Sequence, residues 1–436
     1  MTCAAHIDVV TSVDMTATDV SGAIHVVWRI ESARLIARLA RLVRDVGLAE
    51  ELAQDAFVTA LEQWPRTGIP DNPGAWLMTT AKRRAFDHLR HQRMRDRKHT
   101  LMHELDMDPE HDGGPVEAEA DDDIGDDLLR LIFVACHPVL TPEARTALTL
   151  RLLGGLTTAE VAHAFLVSEP TIAQRIVRAQ RTLRDAHVPF EIPQREELPE
   201  RLSSVLQVIY LIFNEGYAAT AGDDWMRPAL CEEALRLGRI LAELAPRESE
   251  VHGLVSLMEI QASRLRTRVA SNGDPILLMD QDRARWDRLL IHRGLAALAR
   301  GEALGQTNGP YLLQAAIAAC HARAPAPADT DWNLIAKLYE KLSQLTSSPV
   351  VELNRAVAVA MASGPEAALE IVDRLDAQGS LRSYHLLPSV RADLLQKLGR
   401  FSEAQIEFER AAALTRNERE RRLLSDRANA CKQGRF

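Results

Sequence analysis

An internal repeat near the end of the chain restricts the possible fold more than any other feature. Residues 354–358 (NRAVA) and 364–368 (GPEAA) are echoed by 391–395 (RADLL) and 399–404 (GRFSEA). The offset of about 35–37 residues is close to the length of a helix pair in tetratricopeptide arrays. Small residues at matching positions let one helix nest on the next. We therefore expect a tetratricopeptide-like helical extension over residues 200–436, with the repeat clearest over 350–431.

The composition favours helices throughout the chain. Aromatic residues make up only 5% of the 436 residues, and β-branched residues are not enriched as strands would require. The net charge of −9 argues against a protein that coats nucleic acid indiscriminately. The charge is unevenly placed, because a basic stretch over 76–103 is followed by an acidic one over 104–127. The fold class we expect is all-α.

A helix-turn-helix is predicted inside residues 126–187, which we call the second module. Thr157 or Thr158 caps a first helix, residues 166–168 form a short turn, and a second helix starts at Glu169. Pro170 then stands in the first turn, where its missing N–H costs nothing. The apolar seam between the helices is expected to contain Val161, Ala162, Ile172 and Val177.

The second of these helices carries polar residues at a spacing that suits DNA. Gln174, Arg175, Arg178 and Arg181 recur three or four residues apart, so we expect them to share one exposed face. Such a helix can lie in a major groove, with its early residues at base edges and its later arginines on phosphates. The alternative is an ordinary helical hairpin with a solvated basic face.

Three helices are predicted in residues 21–95, which we call the first module. They cover about 22–46, 48–64 and 75–95, and the Pro- and Gly-rich segment 65–74 is expected to be a rigid loop. The outer face of the second helix is expected to carry Glu50, Glu51, Gln54 and Asp55. The third helix has an apolar stripe on one side and basic residues on the other.

The remaining segments are predicted to connect these parts. Residues 1–20 are expected to be an N-terminal tail, 96–125 an acidic flexible linker and 188–199 a Pro/Glu-rich joint. No stretch approaches the ~18 consecutive apolar residues of a membrane span. We expect a cytoplasmic protein with no membrane contact.

Enzyme and metal chemistry find no support in the sequence. The chain contains no GxxxxGK[ST], HExxH or GxSxG motif, and its five cysteines form no CxxC pair. The cysteines are expected to be buried thiols of a reducing compartment. We predict no catalytic residue, no metal site and no cofactor.

Several motifs in order resemble bacterial extracytoplasmic-function (ECF) RNA polymerase sigma factors, in the subgroup with a long tetratricopeptide-like C-terminal extension. They are residues 49–57 (AEELAQDAF), 70–77 (PDNPGAWL), the helix-turn-helix, 211–217 (LIFNEGY), 280–283 (DQDR), 285–288 (RWDR) and 354–358. The likeness covers essentially the whole chain after residue 21.

This resemblance implies that the protein binds core RNA polymerase, at the β′ clamp helices and the β flap, and promoter DNA. The first module would be sigma region 2, and its second helix would dock on the clamp helices. An acidic face suits a basic partner helix, although it can also be simply solvated. The core-polymerase-binding residues implied are Leu48, Glu50, Glu51, Gln54, Asp55 and Phe57.

The resemblance also assigns two promoter-binding surfaces. Opening of the minus-ten element needs a pocket for a flipped base and cations along the displaced strand. The residues implied there are Asp71, Asn72, Trp76, Lys82, Arg83, Arg84 and Arg90, although Trp76 can equally be a core residue. The second module would be sigma region 4 and would read the minus-thirty-five element. Glu169, Thr171, Gln174 and Arg175 would lie nearest the bases, with Arg178 and Arg181 on phosphates.

The extension is expected to regulate activity in cis or through a partner, and the family suggests a small YCII-related regulatory protein. Candidate contact residues are Asn214, Glu215, Tyr217, Asp282, Arg285 and Trp286, which can alternatively be helix caps and buried ion pairs. The extension would thus make this chain an alternative sigma factor with a built-in regulatory part.

Two other functions remain open on the sequence alone. A one-component helix-turn-helix regulator with a ligand- or peptide-sensing repeat domain shares the second module and the repeats, but has no use for an acidic docking helix. A repeat-based adaptor without a DNA role leaves the arginines at 175–181 unexplained.

Overall fold

The structure, a computed structural model, describes residues 17–100, 121–165, 167–219, 225–270, 274–305 and 309–433. Within these ranges the regular structure is helical, and the only β-structure is an isolated bridge between Val269 and Pro275. The predicted all-α fold is confirmed. Most of the predicted acidic linker and N-terminal tail lies outside the described residues.

Two compact units make up the chain. The first is Met1–Val161 with Ile172–Arg201, and the second is Ala162–Thr171 with Leu202–Phe436. The turn of the predicted helix-turn-helix therefore belongs to the second unit. Most of the first module and most of the second module belong to the first unit.

Seven helices cover the described part of the two modules. They are α1 (Ala17–Val43), α2 (Val46–Thr67), α3 (Pro73–Thr100), α4 (Asp121–Ala135), α5 (Pro142–Leu152), α6 (Thr158–Ala164) and α7 (Glu169–Asp185). The predicted rigid loop 65–74 is shorter than expected, because α2 continues through Pro65 to Thr67. Pro65 removes one hydrogen bond of the helix, which ends two residues later at Thr67.

Helix α1 lies at the centre of the first unit, where it packs against α2, α3, α4 and α5. Its inward face includes Ile36 and Leu39, which are buried together with Trp64 of α2, Leu77 of α3 and Leu131 of α4. Burying such side chains contributes about 1.5–3 kcal/mol each. Helices of both modules therefore share one apolar core in this unit.

A buried carboxylate links α2 to the second module. Glu50 is 6% exposed. Its Oε1 accepts hydrogen bonds from Arg151 Nε on α5 at 2.5 Å and from Gln54 Nε2 at 2.6 Å, and its Oε2 accepts one from Gln180 Nε2 on α7 at 2.6 Å. The expectation that Glu50 lies on the outer face of α2 is therefore wrong. The side chain points inward because the Arg151 guanidinium and the amides of Gln54 and Gln180 donate hydrogen bonds to it there.

A second ion pair reinforces this link. Asp45 caps α2 by accepting the Leu48 N–H at 3.0 Å, and its other oxygen accepts from Arg184 Nε of α7 at 2.6 Å. Burial raises the pKa of the Asp45 carboxyl, but the hydrogen bonds from Arg184 and Leu48 outweigh burial and hold this pKa below its usual value. The C-terminal half of α7 is thus tied to the start of α2 through Gln180 and Arg184.

The turn after α5 approaches α1 closely. Gly155 has φ +64°, and a Cβ there would lie 2.9 Å from Ser32 Oγ and 3.5 Å from Arg29 Cα. Only glycine combines this backbone conformation with so short an approach. Gly155 therefore allows the turn to pack closely against α1.

Eleven further helices follow in the described residues. They are α8 (Leu198–Tyr217), α9 (Pro228–Leu244), α10 (Ser249–Ala262), α11 (Arg288–Ala303), α12 (Pro310–Arg323), α13 (Trp332–Thr346), α14 (Pro349–Ser363), α15 (Pro365–Gln378), α16 (Leu386–Lys397), α17 (Phe401–Leu414) and α18 (Glu418–Gln433). Short 3₁₀ turns at Leu265–Thr267, Leu278–Asp280 and Arg283–Arg285 fill the connection between α10 and α11.

The predicted repeat is visible as consecutive helix pairs. Helices α14 and α15 begin at Pro349 and Pro365, and α16 and α17 begin at Leu386 and Phe401. The spacing of about 36–37 residues matches the sequence repeat. Matching small residues such as Ala356, Ala368, Ala392 and Ala404 are buried in a common core with Phe408. The C-terminal part is therefore a tetratricopeptide-like helical repeat.

The first prediction concerns the buried carboxylate. Glu50→Gln keeps the size of the side chain but leaves the Arg151 guanidinium without a charged partner, so we expect a loss of about 2–4 kcal/mol of stability. Calorimetric unfolding of the full chain would measure this loss. Glu51→Gln is the matched control, because Glu51 is exposed on the same helix and should change stability by less than about 0.5 kcal/mol.

A double variant sharpens this test. In the Glu50→Gln background, Arg151→Met should cost much less than it does alone, because the charge it removes no longer has its partner. Equal stability of Glu50→Gln and Glu51→Gln would show that the buried pair does not hold the unit together.

Candidate nucleic-acid interface

The first helix of the helix-turn-helix begins with a capping box. Thr157 Oγ1 accepts the Glu160 N–H at 3.1 Å, and Glu160 Oε2 accepts the Thr157 N–H at 2.7 Å. Of the two threonines considered from the sequence, Thr157 is therefore the cap. The reciprocal bonds fix the point at which α6 starts.

The turn and the start of the second helix follow the predicted chemistry. Val167 N–H donates to the Ala162 carbonyl at 3.1 Å, and the Ser168 and Thr171 hydroxyls are hydrogen-bonded at 2.7 Å. Pro170 is the second residue of α7, as expected for a helix start. Thr171, a predicted base-contacting residue, thus has its hydroxyl engaged with Ser168.

The buried side of α7 is shifted by one residue from the prediction. Ile172, Ile176, Ala179 and Leu183 are buried, whereas Val177 is 62% exposed. The predicted seam is therefore wrong at Val177, and Ile176 takes its place. One residue along a helix is a rotation of about 100°, so this shift places the Val177 side chain on the exposed side of α7.

The exposed face of α7 includes most of the predicted DNA-binding residues. Glu169, Thr171, Gln174, Arg178 and Arg181 are exposed. Arg181 also lies 3.4 Å from Asp185 at the surface.

Arg175 departs from this face, so the prediction that all four polar residues share it is wrong for Arg175. It is half-buried. The backbone N–H of Glu143 and the Thr141 hydroxyl lower the pKa of the Glu143 carboxyl, and the Arg175 charge adds to this effect. The charge of Arg175 is therefore close enough to the Glu143 carboxyl to affect its pKa.

The basic side of α3 is partly used inside the protein. Arg83 and Arg90 are exposed and Lys82 is half-buried. Arg84 instead pairs with Asp55 of α2 at 2.9 Å and donates to Thr59 Oγ1 at 2.8 Å. Arg84 and Asp55, predicted to serve different surfaces, therefore bind each other.

The loop before α3 is ordered by its own side chains. Asn72 Oδ1 accepts the Ala75 N–H at 3.0 Å and so caps α3, while Asp71 is exposed. Trp76 is half-buried, and its ring meets Trp64 edge to face with centroids 5.2 Å apart. Trp64 is 1% exposed, so Trp76 stands on a rigid base with one side open to solvent.

The outer side of α2 keeps an acidic and aromatic surface even without Glu50. Glu51 and Asp55 are exposed, Leu48 and Phe57 are half-buried, and Gln54 is held by Glu50. The Phe57 ring lies 4.7 Å from Trp28 and 5.5 Å from His25 of α1.

Four of the six candidate residues of the extension are exposed or form an ion pair. Asn214 and Arg285 are exposed, and Asp282 caps a 3₁₀ turn through the Ala284 N–H at 3.0 Å. Glu215 pairs with Arg227, whose Nη1 also donates to the carbonyl of Ala164 at 2.6 Å. Ala164 ends α6, so this link reaches the turn of the helix-turn-helix within the second unit.

The last two candidates, Tyr217 and Trp286, lie close to the same arginine. Tyr217 and the buried Trp286 both lie beside the guanidinium of Arg264, a residue that the sequence analysis missed. Arg268 and Arg283 join the same group and were missed as well. The hint in the sequence for Arg264 and Arg268 is the alternation of arginines at 264, 266 and 268, which also suits a solvated turn.

Cysteines and metal ligands give a simple result. Cys136, Cys231, Cys320 and Cys431 are free and buried, as predicted, while Cys3 lies outside the described residues. Within the described ranges, no three His, Cys, Asp or Glu side chains are grouped as a metal site would require. No helix in the described part of the chain is both long and apolar enough to cross a membrane.

Comparison with known families divides the chain in the same way. Residues 30–95 match Sigma-70 region 2, and residues 130–183 match Sigma-70 region 4. Residues 201–302 match a family of unknown function, DUF6596. The family matches thus end at residue 302, before the part of the chain in which the repeats are clearest.

Known proteins resemble the chain over two different lengths. A protein of Rhizobium meliloti (strain 1021), described only as uncharacterized, is 43% identical over 387 residues, covering 87% of this chain and 89% of its own length. The ECF RNA polymerase sigma factor SigK of Mycobacterium ulcerans (strain Agy99) is 33% identical over 156 residues, covering 35% of this chain and 79% of its own length.

One solved structure, yeast Tom70, aligns with a TM-score of 0.31 and 11% identity over 96% of this chain and 85% of that chain. A score this low does not establish a shared fold. The sigma modules carry the relationship, and the chain belongs to the ECF RNA polymerase sigma factors, here with a large helical-repeat extension at the C-terminus.

Proposed function

We propose that this protein binds core RNA polymerase, directs it to a specific set of promoters and helps to open the minus-ten element. The observation that carries the proposal is the exposed face of α7, presented by a capped helix-turn-helix in a chain that also contains region 2. We propose that the protein acts in the cytoplasm together with the polymerase and without contact with a membrane.

For the minus-thirty-five element we propose that Glu169, Thr171, Gln174 and Arg175 contact bases and that Arg178 and Arg181 contact phosphates. A glutamine can bond an adenine edge in a bidentate manner, and the exposed Val177 adds a methyl surface that suits a thymine methyl. The arginines supply charge without sequence preference.

For the minus-ten element we propose that Asp71, Asn72 and Trp76 border the pocket of a flipped base. The half-open Trp76 ring on its rigid Trp64 base suits stacking. Lys82, Arg83 and Arg90 would hold the displaced strand. Arg84 would join them only by leaving Asp55.

For polymerase docking we propose the outer side of α2, with Leu48, Glu51, Gln54, Asp55 and Phe57. Glu50 can take part only if Arg151 and Gln180 release it. Docking through Glu50 would therefore require the two modules to separate.

The extension, we propose, supports promoter recognition in cis. The support is the link from Glu215 through Arg227 to the Ala164 carbonyl, which anchors the turn that precedes α7. On the resemblance alone, we also propose a small YCII-related regulatory protein as its partner. A ligand-sensing one-component regulator remains the second candidate function, because Arg264, Arg268 and Arg283 gather around Tyr217 and Trp286 inside the extension.

The first functional prediction separates base readers from phosphate contacts. Gln174→Ala should lose about 1–3 kcal/mol at one promoter position, and Arg178→Ala should weaken all promoters alike. Transcription from a library of promoter variants measures both effects. Arg195→Ala is the control, since it removes an exposed arginine outside α7. A uniform loss for Gln174→Ala would contradict the assignment.

The second prediction separates a sigma factor from a one-component regulator. The full chain should shift promoter DNA in a gel only together with core polymerase, whereas a regulator would bind the duplex alone. Glu51→Lys should weaken the complex with core polymerase about tenfold, because it reverses a charge on the docking face. Glu191→Lys makes the same charge change at an exposed site outside α2 and should leave the affinity unchanged.

The third prediction tests the extension. Arg227→Met removes the anchor at Ala164, so we expect promoter-specific transcription to fall about two- to tenfold. Core-polymerase affinity should stay the same, which binding measurements check. Arg236→Met, in the helix that follows directly after Arg227, is the control. Higher transcription from Arg227→Met would mean that the extension inhibits, contrary to the proposal.

A further inference from the structure

Three arginines are gathered inside the second unit, between the end of α8 and the connection from α10 to α11. We call Arg264, Arg268 and Arg283 the arginine cluster. Arg268 is 8% and Arg283 3% exposed, and Arg264 is half-buried. Arginine remains charged under all ordinary conditions, so burying three of them together needs compensation.

Two aromatic rings bring the guanidinium groups together. The Cζ atoms of Arg264 and Arg268 lie 5.7 Å and 3.6 Å from the centre of the Tyr217 ring. The Cζ atoms of Arg264 and Arg283 lie 5.7 Å and 5.2 Å from the centre of the Trp286 ring. Arg264 therefore stands between the two rings, with one further cation beyond each.

Carbonyl groups compensate two of the three charges in part. Arg268 Nη1 donates to the carbonyl of Tyr217, the last residue of α8. Arg283 Nη1 donates to the carbonyls of His321 and Ala324, each at 3.0 Å, at the end of α12. Helix C-termini carry about half a negative charge each, so these bonds fix both side chains without neutralising them.

Arg264 receives no such compensation. Its Nη2 donates to the Tyr217 hydroxyl and to Gln261 Oε1, which are neutral groups. Among the described residues, no carboxylate oxygen forms an ion pair with any member of the arginine cluster. The carboxylate that acts on Arg283, Asp329, already accepts the Ala326 N–H at 3.2 Å.

Several buried donors around Arg264 also have no hydrogen-bond partner. They are Arg264 Nε, Arg283 Nε and Trp286 Nε1, and Trp286 is 3% exposed. Burial and the neighbouring Arg264 charge both lower the pKa of Arg268. Burial, with the charges of Arg264 and Arg283, lowers the pKa of His321 to about 4, so this nearby ring adds no further positive charge at neutral pH.

We propose that the arginine cluster binds the phosphate or carboxylate group of a small-molecule ligand. Planar guanidinium groups held in fixed positions are suited to both oxyanions, and the unpartnered N–H groups of Arg264 and Trp286 supply further donors. The burial of Trp286, Arg268 and Arg283 limits the bound group to a compact one. The site does not depend on the promoter-binding function proposed above.

Titration calorimetry of the full chain tests the site with sodium phosphate and sodium acetate, each against sodium chloride at equal ionic strength. We expect saturable binding of one anion per chain. Arg264→Met should weaken it about tenfold or more, because it removes charge-assisted hydrogen bonds. Arg266→Met, an exposed arginine two residues away, should bind as the unsubstituted chain does.

The outcomes are distinct. Binding of phosphate alone or of acetate alone supports the site and identifies the source of the oxyanion, and binding of both supports it as a general oxyanion site. Arg264→Lys keeps the charge but loses the planar fork, and should bind with intermediate affinity if the chain is folded. No saturable binding above chloride, or unchanged binding in Arg264→Met, would overturn the proposal.

Discussion

The first unit depends on one requirement of physical chemistry, which is that a buried carboxylate must have a cationic partner. Glu50 sits in α2 of region 2, and its partners Arg151 and Gln180 belong to α5 and α7 of region 4. A carboxylate removed from water without them would cost several kcal/mol. The two sigma modules are therefore bound to each other through a residue that resemblance assigns to the polymerase. In this structure the Glu50 carboxylate is therefore already occupied by partners inside the protein.

The extension is held together by a different kind of constraint. Each helix pair of a repeat buries its apolar face only against its neighbours, so small residues at equivalent positions decide how closely the pairs stack. In α10 the constraint is stricter, because a Cβ on Gly253 would lie 2.6 Å from the backbone nitrogen of Leu312. Glu250 of the same helix accepts the N–H groups of Tyr311 and Leu312 and so caps α12. Close backbone approach and capping act together at this crossing.

Features that depend on local periodicity were predictable from the sequence. The start of α7 at Glu169, with Pro170 in its first turn, and a threonine cap at residue 157 or 158 follow from residues within one or two helical turns. The helix pairs of the extension follow from the sequence repeat. Features that depend on distant partners were not. Glu50 looks like any acidic residue of an outer face until Arg151, about a hundred positions later, is folded against it. Val177 and Ile176 are both apolar, so the sequence alone does not decide which faces the core. The arginine cluster looks like a solvated turn, because nothing local shows that Trp286 and Tyr217 enclose it.

The buried cysteines give each unit its own chemical reporter. Burial raises the pKa of Cys136 in the first unit to about 11 and that of Cys231 in the second to about 12. Because only the thiolate attacks electrophiles and peroxides, both sulfurs are inert at neutral pH while their surroundings stay closed. Oxidants would reach them only when a unit opens. The rate at which each thiol is alkylated therefore measures how often the unit that contains it opens.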